Sequence, residues 1–342
     1  MSLRPQLDER YSRQVLFAPI GPEGQRRLTA ARVTIVGCGA TGSALAGLLT
    51  RAGIGKLSIV DRDYVEASNL QRQSLFDEQD AAESTPKAIA AARKLRAFNS
   101  AVSIEPHVAD LTPENAPKLL SSSDLLLDGT DNFETRYLVN DFAISSATPW
   151  IYAAAVGSYA ATMNILPGET ACLTCLFPEA PKGTIETCDT AGILNSAVNL
   201  AASLAATEAI KLLVGARAEM RRTLLGWDLW GNQQSEVRAE HRRQDCRTCG
   251  SRDFAHLAGQ ARPHITLCGR NSVQIHERER SVDFNELSAK LQPHGRVRHN
   301  EFVLKFWRDP YEMTLFPDGR AIFKGTTDTS VARSLYARYV GS

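Results

Sequence analysis

Between Ala31 and Ile151 the chain alternates short apolar runs with helix-like runs, and this order constrains the fold more than any other feature of its 342 residues. Four runs read as strands: RVTIVG (Arg32–Gly37), KLSIVD (Lys56–Asp61), VSIEPHV (Val102–Val108) and DLLLDGTD (Asp124–Asp131). Between them, Thr41 to Ala52 and Pro86 to Asn99 read as helices, as does Leu111 to Leu120, where Pro117 weighs against the later part. Strands this continuously apolar belong to a parallel sheet covered on both faces. The prediction is an α/β, doubly wound, mostly parallel sheet with right-handed crossovers. Ala153 to Leu166 reads as paired strands that add antiparallel members. Ile193 to Val214 reads as a long helix after an irregular loop at 176–192. Asn195, Asn199, Glu208 and Lys211 interrupt it, which makes it too polar to cross a bilayer cheaply and marks it as a buried helix. From about 263 the pattern changes. ITLCG, VQIHE and EFVLKFW are strand-like, Pro317-Asp318-Gly319 turns a hairpin, and Asp283 to Leu291 and Thr329 to Tyr339 read as helices, the first capped by Asp283 with Glu286 three residues on. The expected division is residues 1–260 and a small α+β module at 261–342, with the boundary near Gly259–Pro263.

Gly37-Cys38-Gly39-Ala40-Thr41-Gly42 fits G-x-G-x-x-G directly after a strand and at the start of a helix. Gly37 permits the tight turn, Gly39 lets phosphates approach the backbone, and Gly42 lets helix and strand pack closely. Asp61 ends the next strand, where a carboxylate meets a ribose hydroxyl in nucleotide-binding folds. The loop alone would suit NAD, and an oxidoreductase is one reading. The segments that follow favour a triphosphate. Asp61-Arg62-Asp63, Ser68-Asn69-Leu70-Gln71-Arg72-Gln73, Thr85-Pro86-Lys87 and Asp128-Gly129-Thr130-Asp131-Asn132 all fall near strand ends. Arginine and lysine neutralise phosphate, and a carboxylate can hold Mg²⁺. Arg72 or Lys87 alone would be an ordinary solvated charge. As a set they sit where open α/β sheets bind ligands, at the carboxyl ends of strands.

Seven cysteines and an opening without the apolar core of a signal peptide argue against a disulfide framework, and the cytoplasm is the expected compartment. Cys172-Leu-Thr-Cys175 and Cys246-Arg-Thr-Cys249 therefore read as two knuckles of one four-thiolate zinc site, structural because no coordination position is left open. The site would tie the loop after Pro167 to the segment after Trp230. Cys188 lies in a polar loop just before the long helix, and the sequence weighs a reactive thiol and an ordinary loop residue equally. Cys38 reads as small filler and Cys268 as core. A net charge of +1 gives no excess basic charge for a phosphate backbone, so neither nucleic acid nor a membrane is an expected partner.

Arg10-Tyr11-Ser12-Arg13-Gln14, the glycine loop, Asp61-Arg62-Asp63, Ser68 to Gln73, Pro86-Lys87, Thr130-Asp131-Asn132, the two cysteine pairs, and Thr187-Cys188 before Ala191-Gly192 together resemble the ThiF/MoeB/HesA family, prokaryotic relatives of ubiquitin-activating enzymes. The resemblance runs from about Glu9 to Gly250. It implies an adenylyltransferase that uses ATP and Mg²⁺ to activate the C-terminal carboxylate of a small ubiquitin-like sulfur-carrier protein of the ThiS or MoaD type. Implied roles follow. Gly39 and Gly42 face the nucleotide, with Gly37, Asp63 and Asn132 in the same binding set. Asp61 holds the ribose, and Asn69, Arg72 and Lys87 hold phosphates. Asp131 binds Mg²⁺ and orders the reaction. Arg13 reaches the triphosphate of the other subunit, which implies a homodimer. Cys188 matches the active-loop cysteine, and a sulfur donor protein would then be a further partner. Three departures stand out. Ser84-Thr85 replaces the usual Gly-Gln before Pro86-Lys87. The loop from Leu176 to Thr187 is the family's variable crossover, which leaves the carrier unread. The tail is not the rhodanese module of some relatives. Other readings are a same-fold enzyme acting on a peptide or tRNA base, and a non-catalytic subunit. The latter would lose Arg13, Arg72, Lys87 or Asp131, and all four are present.

Overall fold

The computed structural model describes residues 9–179, 191–260, 265–268, 272–275 and 282–341. They form two compact units, Met1–Ala261 and Arg262–Ser342. In the first, β1 (Arg32–Val36), β2 (Lys56–Asp61), β3 (Ser103–Val108), β4 (Leu125–Asp128), β5 (Trp150–Val156), β6 (Tyr159–Ile165), β7 (Thr223–Asp228) and β8 (Gln233–Arg238) make one sheet in the order β3-β2-β1-β4-β5-β6-β7-β8. The neighbours from β3 to β5 run parallel, and those from β5 to β8 run antiparallel. Val33, Ile35, Leu57, Ile59, Leu125 and Leu127 pack in one core and Val36 and Leu126 in another, so β1 and β4 are buried on both faces. That double burial is why these strands lack alternation. The helix Asn195–Val214 lies across β5, β6 and the helix Ala40–Ala52. Ala197, Ala201, Ala205 and Ala209 are all fully buried along it. Small side chains on one stripe let it lie close to the sheet. Its length and apolarity would suit a membrane span, yet Glu208 is buried in it, accepting from Asn164 Nδ2 (2.5 Å), the Arg221 backbone N–H (2.9 Å) and Lys211 Nζ (2.8 Å).

The expected helix over Leu111–Leu120 is shorter than predicted and placed differently. It spans only Ala116–Leu120, and Pro117 occupies its first turn. There the missing N–H has no intrahelical partner to lose, so proline starts this helix and does not interrupt it. The run Asp124–Asp131 leaves the sheet after Asp128, which frees residues 129–131 for a turn. Helices Gly21–Ala30 and Phe133–Ser146 and strands β7 and β8 add elements that the alternation did not reveal.

In the second unit β9 (Ile265–Cys268), β10 (Ser272–Ile275), β11 (Arg296–His299), β12 (Leu304–Arg308), β13 (Tyr311–Leu315) and β14 (Ala321–Lys324) form an antiparallel sheet, β11-β12-β13-β14-β10-β9. Helices Phe284–Leu291 and Thr329–Tyr339 supply Leu287, Leu291, Ala332 and Tyr336 to its core. Asp283 Oδ1 accepts from Asn285 N (2.8 Å) and Glu286 N (3.2 Å), which caps the first of these helices.

Candidate active site

The glycine loop joins β1 to the helix Ala40–Ala52. Gly37 has φ +85°, and a Cβ there would stand 2.6 Å from Gly129 O. A Cβ on Gly42 would stand 1.9 Å from Gly37 O. These two glycines let the ends of β1 and β4 and the helix start close on one another. We expect Gly42→Ala to destabilise the protein by about 1–3 kcal/mol through overpacking, and chemical denaturation measures it. Gly39 differs: a Cβ there would meet nothing nearer than 3.9 Å. Packing does not require glycine at this position, because a Cβ there would make only ordinary contacts with Gln73 and Gly129. Cys38 is fully buried as filler, and burial pushes its thiol well above the ordinary range.

Asp61 fixes the loop from the end of β2. Its Oδ2 accepts from Cys38 N (2.6 Å) and its Oδ1 from Asp63 N (2.7 Å). Burial raises its carboxyl above the usual carboxylate range although Lys87 opposes the shift. Lys87 opens the helix Lys87–Phe98, an end where the helix dipole disfavours a cation. Its N–H donates to Asp63 O (2.9 Å), and its Nζ lies 3.2 Å from Asp63 Oδ2. Burial alone would lower its pKa, but Asp63 and Asp61 outweigh burial and hold the ammonium above its ordinary value. Lys87 therefore stays charged at any physiological pH. Asp131 also acts on it electrostatically, so the structure brings together Gly39, Asp61, Asp63, Lys87 and Asp131.

Asp131 is exposed, with Asn132 Nδ2 3.5 Å from its Oδ1. Asn132 Oδ1 caps the helix Phe133–Ser146 by accepting from Thr135 N (2.8 Å). A buried pair that motif reading missed sets this turn. Asp128 Oδ1 accepts from the backbone N and Oγ1 of Thr130, and its Oδ2 accepts from Arg136 Nε (2.8 Å). Arg136 also donates to Thr130 O (2.7 Å). Burial raises the Asp128 carboxyl against the opposing pull of Arg136. Asn69 is buried, with Oδ1 accepting from Glu66 N (3.1 Å). Arg72 is half-buried, and its Nη1 turns back to Ser68 O (2.7 Å). Arg13 is exposed on the short helix Ser12–Val15, next to Leu16 and Phe17, which are 74% and 61% exposed. Cys188 lies outside the described residues.

Cys172, Cys175, Cys246 and Cys249 are buried together, with all four Sγ atoms within 4.8 Å of one another. The Cys172–Cys175, Cys172–Cys246 and Cys175–Cys249 separations are 3.8, 3.6 and 3.4 Å. A tetrahedral zinc with Zn–S bonds of about 2.3 Å has S···S edges of about 3.8 Å, so the donor set and its spacing are compatible with zinc. Hydrogen bonds from Cys172 and Cys249 lower the Cys175 thiol, and hydrogen bonds with Cys175 and Cys249 raise that of Cys172. Two polar residues in the middle of the helix Phe133–Ser146 tie the knuckles down. Asn140 Oδ1 accepts from Leu173 N (2.9 Å), and its Nδ2 donates to Thr174 Oγ1 (3.2 Å). Asp141 accepts from Thr248 Oγ1 (3.2 Å) and His256 N (2.9 Å), and Thr174 and Thr248 meet at 3.0 Å. The signal that could have found them is the Asn-Asp pair itself, a poor helix interior unless its side chains have partners elsewhere.

The chain is 46% identical over 336 residues to the sulfur carrier protein ThiS adenylyltransferase of Bacillus subtilis (strain 168), covering 97% of this chain and 99% of that one, so the likeness includes the second unit. It is 40% identical over 226 residues to a sulfur carrier protein adenylyltransferase of Thermus thermophilus, covering 64% of this chain and 83% of that one. Among solved structures, E. coli MccB with MccA-N7isoASN matches with a TM-score of 0.62 at 25% identity, over 71% of this chain and 74% of that one. The ThiF family profile matches residues 11–248. With that match over most of the first unit and the near full-length likeness to the B. subtilis enzyme, the chain belongs to the ThiF family.

Proposed function

We infer that this protein is an adenylyltransferase that uses ATP to activate the C-terminal glycine carboxylate of a small ubiquitin-like sulfur-carrier protein. The observation that carries this reading is Lys87, buried at the glycine-loop end of the sheet, paired with Asp63 at 3.2 Å and held in its charged form by Asp63 and Asp61. The carrier's carboxylate attacks the α-phosphate, giving an acyl-adenylate and pyrophosphate. The carboxylate is already a nucleophile, so no general base is required. Catalysis is orientation plus stabilisation of growing negative charge. Lys87 and Arg72 face the phosphates, Asn69 orders the turn beneath them, and Asp61 meets the ribose. Asp131, with Asn132 beside it, holds Mg²⁺, which would supply further neutralisation of phosphate charge. The exposed Arg13, flanked by Leu16 and Phe17, suits a role in the other subunit's site within a homodimer. The four cysteines would hold a structural zinc, and a four-thiolate site suits the cytoplasm. Near full-length likeness to the B. subtilis ThiS adenylyltransferase favours a sulfur carrier over a peptide.

ATP–pyrophosphate exchange tests this. Exchange should appear when a carrier ending in Gly-Gly is added, and calorimetry should show ATP bound and NAD not. NAD bound more tightly than ATP would overturn the reading. Cys188 acts after adenylation, on the carrier adenylate or in sulfur delivery, since carboxylate adenylation needs no thiolate. Cys188→Ala should keep the exchange rate and lose, at most, thiocarboxylate formation on the carrier; if neither activity changes, Cys188 is only a loop residue. Loss of exchange in a folded, zinc-loaded Cys188→Ala protein would place the thiol in the first step instead.

A further inference from the structure

The second unit holds a cavity that no part of the adenylation chemistry uses. It lies within that unit alone, between the hairpin of β12 and β13 and the helix Thr329–Tyr339, and its volume is about 120 Å³. Met313 and Phe323 from the sheet and Leu335 and Tyr339 from the helix make its walls apolar. An apolar cavity of about 150 Å³ takes up benzene, so this one has room for a single ring or branched aliphatic group. Its rim is charged. Arg308 ends β12, Arg338 lies near the end of the helix, and Asp309 sits in the turn between β12 and β13; all three are exposed. The Arg308 and Arg338 guanidinium carbons lie 6.0 and 5.4 Å from the centroid of the Tyr339 ring. Both cations are therefore gathered around one wall of the cavity, yet neither forms an ion pair among the described residues. Contact with a ring leaves the N–H edge of a guanidinium open to a carboxylate, whose planar shape it matches. Two arginines and one aspartate leave the rim with a net positive charge of one, which fits a monoanion better than a phosphate dianion. In the whole unit, Arg262–Ser342, lysine and arginine outnumber aspartate and glutamate by 13 to 9, and such a field draws an anion in.

We propose that this cavity is a binding site for an apolar monocarboxylate: an aliphatic or aromatic group fills it, and the carboxylate at the rim accepts hydrogen bonds from Arg308 and Arg338. Asp309 disfavours a second negative charge there. A free carboxylic acid and the C-terminal residue of a peptide share this chemistry. The site belongs to the second unit and does not depend on the adenylation reading.

Methionine methyl signals in the NMR spectrum of the full-length protein test this, because Met313 lines the cavity while Met163 and Met220 lie in the first unit. Added 3-phenylpropionate should shift Met313 saturably and leave Met163 and Met220 in place. Acetate, which cannot fill the cavity, should not shift Met313 at the same concentration. The uncharged amide, 3-phenylpropionamide, is close in shape to the acid and should bind more weakly by the contribution of both arginines, about three- to fivefold for each. R308Q/R338Q should bind the acid no better than wild type binds the amide. L335W, which places an indole in the cavity, should abolish the shift. Equal binding of acid and amide, or undiminished binding by R308Q/R338Q, would overturn the proposal. So would a Met313 signal that 3-phenylpropionate leaves unmoved at millimolar concentrations, or moves equally in a folded L335W. Should L335W not fold, R308Q/R338Q decides, since both arginines are exposed. An N-acetylated dipeptide ending in phenylalanine separates the two sources: binding tighter than that of the free acid makes the ligand a peptide C-terminus, and weaker binding makes it a small acid.

Discussion

Replacing Cys246 with serine, or removing metal with a chelator, is expected to destabilise the first unit by several kcal/mol, because binding of a structural metal is coupled to folding. The cluster joins two segments far apart in the chain, Cys172–Cys175 and Cys246–Cys249. Four buried thiols without a cation cannot all ionise, since each thiolate disfavours the next. A bound zinc would let all four ionise together. The loss should spread along the helix Phe133–Ser146, whose Asn140 and Asp141 hold both knuckles and whose first turn is capped by Asn132, next to Asp131. Exchange activity should therefore fall together with thermal stability. Elemental analysis should find one zinc per chain in protein purified without chelator. A metal-free protein of undiminished stability would show that the cysteines are simply packed.

The parallel half of the sheet was legible because double burial writes itself into the sequence as unbroken apolar runs, and Lys56–Asp61 is a strand over its whole predicted length. The long helix was legible from its composition, and its interruption at Glu208 proved to be a buried carboxylate with three donors. What could not be read were elements whose pattern is weak for a physical reason. Strand β8 is exposed along its full length, so it carries no apolar alternation. The helix Phe133–Ser146 is buried over most of its circumference, with Arg136, Asn140 and Asp141 satisfied inside the protein, and its polar residues therefore do not mark an outer face. Pro117 was misjudged because proline is disruptive only in a helix interior, and the sequence did not show that the helix begins at Ala116. Within the site, the motif residues mark where charge gathers. Asp128 belongs to the Asp128-Gly129-Thr130-Asp131-Asn132 motif, but its partner Arg136 lies outside it, and only the fold pairs the two at 2.8 Å.

Asp131→Ala and Lys87→Ala should both abolish adenylation, but for reasons that separate in a stability measurement. Asp131 is exposed, and the turn that carries it is fixed by Asp128, Thr130 and Arg136 rather than by its own carboxylate. Its removal should leave the unfolding temperature unchanged and lower pyrophosphate exchange at least ~10²-fold, the loss expected for one group that stabilises transition-state charge. Lys87 is buried, and its ammonium offsets the charges of Asp63 and Asp61. Without it Asp61 remains buried, fixed by Cys38 N and Asp63 N but with its charge uncompensated, a change that costs about 3–5 kcal/mol where a buried partner is lost. Lys87→Ala should therefore lose exchange and stability together. Its stability should recover in part at lower pH, because the raised carboxyl of Asp61 then takes up a proton and the uncompensated charge disappears. The sign follows from linkage: a carboxyl whose folded pKa lies above its unfolded value favours the folded state below the unfolded pKa and loses that contribution as pH rises through the folded one. Removing Lys87 takes away the interaction that opposes this rise, so the pH dependence should be steeper in the variant than in wild type. Thermal unfolding between pH 5 and 8 measures the difference, and a Lys87→Ala protein as stable as Asp131→Ala at every pH would show that the lysine does not hold the buried carboxylates in balance.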